Sequence, residues 1–320
     1  MGVTITGGWV ISGGWNIVPP PAEAAYIWFE GGRTTSSGTT SVVDRIDYST
    51  DTGIASVRGP LSANQYNAGG TGNSNYGWIG AGRININIST VNRIDYAADT
   101  NTSVNRGPLT LARRSLTATG NANDGWFAGG FDENTFGAIS YVDRITYVTD
   151  TSTATQRGPL STGQRSFAAT GNTNYGWFVG GIDSAALSTV SRINFAADTV
   201  TASVRGPLAT PRNDHAASGN ANYGWFSGGS NGGTSTSTTN RIDYSVDTAT
   251  ALVRGTRTYT ISRLAASGNS DYGWFGGGYI SNEWSTVDRI TYSNDTALMS
   301  ARGPLSTPRY LLQSTGGFPG

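Results

Sequence analysis

At 320 residues the chain has room for one large domain or two ordinary ones. Glycine is abundant at 45 residues, aromatics make up 11% and charged residues only 13%, a composition suited to many short strands and tight turns rather than helices. The 21 basic residues, all arginine, balance 21 acidic ones and cysteine is absent, so nothing points to a nucleic-acid or anionic-membrane partner, and disulfides and thiolate metal sites are excluded.

The chain opens with an arm, residues 1–24, rich in glycine, tryptophan and proline. It contains a six-residue echo, "ITGGWV" then "ISGGWN", that carries Trp9 and Trp15 before three prolines. Two tryptophans on an extended glycine-rich stretch do not have the composition of a solvated tail. The expectation is that this arm docks on a neighbouring subunit, as an added strand or an aromatic anchor; the alternative is that it folds back across its own domain. No basic n-region and no apolar run of membrane-spanning length occurs here, so neither a signal peptide nor a membrane-inserted helix is expected. "MGVTIT" matches the bare myristoylation pattern, with no polybasic stretch to support it.

From residue 25 onward the sequence repeats. An Arg-Ile pair recurs at Arg45, Arg93, Arg144, Arg192, Arg241 and Arg289, each followed two residues after the Ile by Tyr, or by Phe195 in the fourth copy. An Asp-Thr follows at Asp51, Asp99, Asp150, Asp198, Asp247 and Asp295, then an Arg-Gly at Arg58, Arg106, Arg157, Arg205, Arg254 and Arg302. Gly-Pro-Leu comes next except in the fifth copy, which reads "RGTRT". The distance from each Arg-Ile to the second glycine of the next Gly-Gly is 37 residues in every complete case, as from Arg45 to Gly82 and from Arg241 to Gly278. The intervals between Gly-Gly and the next Arg-Ile instead hold 12, 10, 13, 10, 11 and 10 residues. One connection per repeat is therefore free in length and three are fixed.

Each unit offers four strand-like runs, for instance "RSLTATGN", "GWFAGG", "VDRITY" and "ATQRG", separated by Gly/Asn and Asp-Thr turns. Trp and Phe stand side by side in the second run, where a half-exposed strand would alternate. Both faces of such a sheet must be covered, as happens when sheet packs on sheet. The first segment, "AYIWFEGG", is a second strand with no first strand before it, and the last, "RYLLQSTGG", is a first strand with no second after it. Joining residues 309–317 to residues 26–32 completes a sixth unit and pairs two otherwise bare edges.

A Gly-Gly closing an aromatic strand, a "YxxDT" segment, then Pro and often Arg before the next strand, resembles the kelch motif. The resemblance covers about residues 25 to 317 and implies an all-β, six-bladed kelch-like β-propeller, four antiparallel strands per blade, over residues 25–320, with the ring closed by the C-terminal strand in the first blade. Kelch-like rings joined to Gly-rich, Trp-bearing arms and Ser/Thr/Asn-rich loops in turn resemble virion structural proteins of tailed bacteriophages, such as fibre, appendage or decoration components. That resemblance implies a virion location, attachment through the arm to other virion proteins or a symmetric assembly, and propeller loops that meet a host-surface protein or glycan. The alternative is a non-viral protein- or glycan-binding adaptor or adhesin at a cell surface or in the cytoplasm.

Chemistry is sparse. Twelve of the 21 arginines occupy the two repeated positions, and their expected partners are the repeated aspartates; the aspartate before Thr is also expected to shape a hairpin turn. His215, the single histidine, stands where other copies carry Ala, Leu or Phe and is expected to pack. One histidine and no cysteine cannot build a usual zinc or copper site, and no isolated carboxylate pair stands out as acid and base. No catalytic residue, metal or cofactor is expected. Recognition is expected on the variable loops, where "FDENTFGAISYVD" offers Phe131, Phe136 and Tyr141 and "YISNEWSTVD" offers Tyr279 and Trp284.

Overall fold

A computed structural model describes residues 3–5, 9–11, 25–36 and 38–316. Six four-stranded antiparallel sheets form a ring, each inner strand packing on the next around a closed circle. Blade 1 runs, inner to outer, Gln313–Gly316, Tyr26–Glu30, Val43–Asp47 and Ser56–Arg58. Blade 2 runs Gly69–Gly72, Tyr76–Gly80, Val91–Asp95 and Val104–Arg106. Blades 3 to 6 begin at the inner strands Thr117–Gly120, Ala168–Gly171, Ala216–Gly219 and Ala265–Gly268. The expected closure is present: the last strand pairs with the first blade in the register Ile27↔Gly316 through Glu30↔Gln313. Of the arm, the backbone of Val3–Ile5 pairs with Trp9–Ile11 as a short hairpin. Trp15 and the side chain of Trp9 lie outside the described residues.

The paired aromatics follow from the stacking of sheets. In each second strand the tryptophan faces the blade that follows and the residue after it faces the blade before: Trp78 stacks on Tyr147 of blade 3 at 3.8 Å, while Phe127 packs back on Gly80 of blade 2. The core is therefore six inter-blade layers, such as Trp78, Val91 and Leu109 against Leu116, Phe127 and Ile145. A stacked aromatic pair is worth about 1 kcal/mol beyond its buried area, and the same stack recurs at Trp28–Tyr96, Trp126–Phe195, Trp177–Tyr244, Trp225–Tyr292 and Trp274–Tyr48.

Beside each stack sits a polar staple. Asp99 of blade 2 accepts from the Trp28 indole at 2.9 Å and from Arg45 at 3.0 Å, with Arg58 at 3.6 Å, all three donors coming from blade 1. Asp150, Asp198, Asp247, Asp295 and Asp51 do the same for the blades that precede them. The expected Arg–Asp pairing is thus real and runs between blades, with two guanidiniums and an indole satisfying each nearly buried carboxylate. The turn role expected of these aspartates falls to earlier residues. Asp95 and Asp243 accept the backbone N–H of Ala97 and Ser245 and start the single 3-10 turns Tyr96–Ala98 and Tyr244–Val246.

The Arg-Gly glycines have no freedom at all. Gly107 donates its N–H to the Asp150 carbonyl of the next blade, and a methyl group there would lie 1.9 Å from the Ser152 carbonyl oxygen. The fifth copy keeps this glycine, and its "RGTRT" is explained by an exchange of positions. Arg257 takes the slot filled by Leu in the other copies, and Ile261 takes the slot of Arg113, Arg212 and Arg309. The guanidinium still reaches the same place: Arg257 pairs with Asp288 at 2.8 Å as Arg113 pairs with Asp143 at 2.8 Å.

Candidate functional site

Gly-Pro-Leu connections, variable loops and the starts of the inner strands share one face of the disc, here called the loop face. At its centre is a collar that no repeat in the sequence announces. Asn67, Ser115, Ser166, Asp214, Arg263 and Leu311 all adopt left-handed φ values, from 54° at Ser166 to 60° at Arg263. Each donates its N–H to the carbonyl of its counterpart in the preceding blade, at 2.7–2.9 Å, and Asn67 closes the circle on Leu311. Left-handed backbone costs a non-glycine residue about 1 kcal/mol, and the closed hydrogen-bond circle offsets it. Below the collar the inner strands line a central cavity of about 190 Å³.

The arginines divide cleanly. Twelve serve the staples. Four are buried between blades: Arg113, Arg257 and Arg309 on Asp143, Asp288 and Asp44, and Arg212 on the carbonyls of Gly228 and Thr238. Burial without a carboxylate pushes Arg212 down to about 10. The remaining five, Arg33, Arg83, Arg114, Arg165 and Arg263, all lie at the collar or one residue outside it.

Local backbone sets them there. Just outside the collar, each blade makes a two-residue bridge that pairs the residue before the collar with the one after Gly-Gly: Tyr310 with Arg33, Tyr66 with Arg83, Arg114 with Phe131, Arg165 with Ile182, Asn213 with Ser230, Ser262 with Tyr279. Around the mouth the guanidiniums lie over rings. Arg33 covers Tyr66 at 5.1 Å, Phe131 carries Arg114 at 4.3 Å and Arg165 at 5.0 Å, and Arg263 lies 5.4 Å from Tyr279. Two carboxylates interrupt this arc. Glu133 bridges Arg83 and Arg114. Asp214 pairs with Arg263 at 3.5 Å and accepts from the Asn213 amide at 3.1 Å; burial raises its carboxyl above the usual aspartate range, against the pull of Arg263. Arg33 and Arg165 have no carboxylate within ion-pairing distance among the described residues, and the Arg165 Nε is buried without a hydrogen-bond partner. Blade 5 differs: it offers only Asn213 and Ser230, hydrogen-bonded to each other at 3.3 Å.

Of the contact residues expected from sequence, Phe131 and Tyr279 belong to this mouth. Phe136 stands 81% exposed at the tip of the hairpin made by Phe131–Asp132 and Gly137–Ala138, and Tyr141 is exposed on the same loop. Trp284 is half-buried, packed on the core between blades 5 and 6 and 4.9 Å from Tyr259, so it presents little surface to a partner. His215 packs as expected, edge-on to Phe226, and burial holds it neutral with a pKa of about 3. The arginines of the mouth were missed because they come from different repeat positions, two after Gly-Gly and two before the inner strand, with Arg263 at a third; the signal was that they are the arginines left over from the repeat. Among the described residues no three His, Cys, Asp or Glu side chains gather where a metal could bind.

No protein-family model matches the chain, and no curated protein is similar to it in sequence. Its fold is shared by a solved structure titled "Structure of YjhT", with a TM-score of 0.68 and 11% identity over 80% of this chain and 88% of that one. At that identity the likeness shows the six-bladed propeller architecture and nothing of the chemistry.

Proposed function

We propose that this chain is a non-enzymatic binding platform of a tailed-phage virion, a fibre, appendage or decoration component that attaches through residues 1–24 and meets a host surface or another virion protein with its loop face. The binding reading is carried by one observation: all length variation between repeats, and all five arginines free of the framework, fall on one face. The opposite face is occupied by framework, where Asn73, Asn121, Asn172 and Asn220 each donate to a carbonyl of the next blade. The virion setting rests on the likeness of the Gly-rich, Trp-bearing arm and the Ser/Thr/Asn-rich loops to phage structural proteins. An adaptor or adhesin outside a virion is the second reading, favoured by Phe136, which a protein partner could cover without any particle.

The test compares the full chain with one starting at residue 25. Both are assayed for co-sedimentation with particles made from the neighbouring structural genes and for adsorption to host cells. Particle association by the full chain alone, with adsorption by both, is expected. Adsorption without particle association by either form leaves the adhesin reading; adsorption by neither overturns the platform itself.

A further inference from the structure

We infer that the loop-face mouth is a binding site for an acidic saccharide, a hydroxyl-rich ligand bearing a few oxyanion groups, with Arg33 and Arg165 as the residues that receive the anion. The inference rests on the platform reading and names the ligand class of its central site.

Three observations carry it. Among the described residues nineteen arginines have an acceptor for a side-chain hydrogen bond or a carboxylate within 4.0 Å, whereas Arg33 and Arg165 have no carboxylate at that distance, Arg165 feeling Asp214 only from further away. A half-buried guanidinium with no carboxylate beside it is incompletely compensated, and an incoming oxyanion supplies the missing charge. Next, both heads lie over aromatic rings, Tyr66 and Phe131. The ring contact localises each head, and a guanidinium held there can offer the bidentate grip that carboxylate, sulfate and phosphate accept. Finally, Glu133 and Asp214 stand within the same arc. A densely charged partner such as an acidic peptide meets these two carboxylates as well as the arginines, and like charges close together are repulsive. A saccharide with one or two anions among neutral hydroxyls avoids them, and it finds neutral partners in the amide of Asn213 and the hydroxyl of Ser230 on the blade 5 side of the mouth.

The experiment is titration calorimetry on the intact protein with four probes: an oligogalacturonide, a sulfated oligosaccharide, a neutral oligogalactan of equal length, and a glutamate-rich peptide. The carboxylated and sulfated arms separate the two sources of oxyanion. At least one acidic sugar is expected to bind, about tenfold or more tighter than the neutral one, a difference of about 1.4 kcal/mol. Arg33→Gln and Arg165→Gln are expected to weaken it about tenfold each, while Val148→Ser, at an exposed position on the opposite face, changes it by less than about threefold. Unfolding temperatures near wild type establish that the variants fold. Equal affinity for the neutral sugar, tighter binding of the peptide, no acidic-sugar binding at millimolar concentration, or indifference to both Arg33→Gln and Arg165→Gln overturns the inference. Cell adsorption that persists without acidic-sugar binding sinks this site alone and leaves the platform reading standing.

Discussion

Trp274 donates its indole N–H to Asp51 at 2.8 Å although 223 residues separate them in the chain. This is the staple of every other blade pair, reproduced across the junction where the two ends of the propeller meet. Arg289 at 3.0 Å and Arg302 at 3.3 Å complete it. Asp51→Ala strips three donors of their acceptor and leaves two half-buried guanidiniums uncompensated. A loss of about 3–5 kcal/mol is expected, read by denaturant unfolding, with Asp150→Ala inside the ring giving a similar loss. A loss under about 1 kcal/mol at either position counts against the staple as a principal inter-blade contact.

The exchange in the fifth copy makes a sharper test. Arg257→Leu alone leaves Asp288 buried without its partner and should cost about 3–5 kcal/mol. Ile261→Arg alone crowds a second guanidinium into an occupied site and should also destabilise. The double variant restores the arrangement of Leu109 with Arg113 and of Leu305 with Arg309 and is expected to recover at least about half of the summed loss, a coupling visible in a double-mutant cycle. Strict additivity of the two losses refutes the exchange.

His215 contributes to the acid side of the stability profile. Its pKa is about 3 in the fold because burial disfavours the cation, with Arg212 adding repulsion, against about 6.5 in an unfolded chain. The unfolded state therefore takes up a proton that the folded state refuses, so stability contributed by neutral His215 is present above about pH 6.5 and declines as pH falls toward about 3. His215→Phe, which copies Phe167 at the equivalent place in the preceding repeat, should flatten the slope in that window. An unchanged slope in urea unfolding between pH 6.5 and pH 4 refutes the assignment.

Glu30 acts in the opposite sense at the closing blade. It is fully buried, accepts from the Thr315 hydroxyl at 2.6 Å, and burial raises its carboxyl well above the usual glutamate range despite Thr315 and Arg309. Its contribution is fully present below the unfolded pKa near 4.3 and is lost as pH rises through the raised folded value. Glu30→Gln keeps an acceptor for Thr315 and removes the titration, so it should be more stable than wild type at pH 7 and equal to it near pH 4. Lower stability at pH 7 means that Glu30 is held as a useful anion instead.

The architecture was legible because its determinants are periodic. Arg-Ile-x-Tyr, Asp-Thr and Arg-Gly recur at fixed spacing, since each contributes to a contact that every blade must make with the next. The tryptophan beside Gly-Gly could be seen to be buried, though not that its indole meets an aspartate 70 to 72 residues downstream, as Trp177 meets Asp247 and Trp126 meets Asp198. The collar was not legible because its conformation is imposed by hydrogen bonding between blades and not by residue type: Asn, Ser, Asp, Arg and Leu all serve, and none of the six is glycine. The mouth escaped for the related reason that its arginines come from two different offsets, Arg33 and Arg83 after Gly-Gly and Arg114 and Arg165 before the inner strand. Only folding brings the two sets onto one arc. Phe131 and Tyr279, which lie at this mouth, stood out in the sequence because a large aromatic in a polar loop is conspicuous by itself.

The collar has a consequence for how the molecule comes apart. Linear repeat arrays can fray from their ends, because the terminal unit has one neighbour instead of two. A hoop of six hydrogen bonds running donor to acceptor has no first or last member, so removing any one blade bares an N–H on one side and a carbonyl on the other. Arcs of three, four or five blades thus lack a resting state of their own, and the disc is expected to open in a single step, wherever along the circumference the first gap appears.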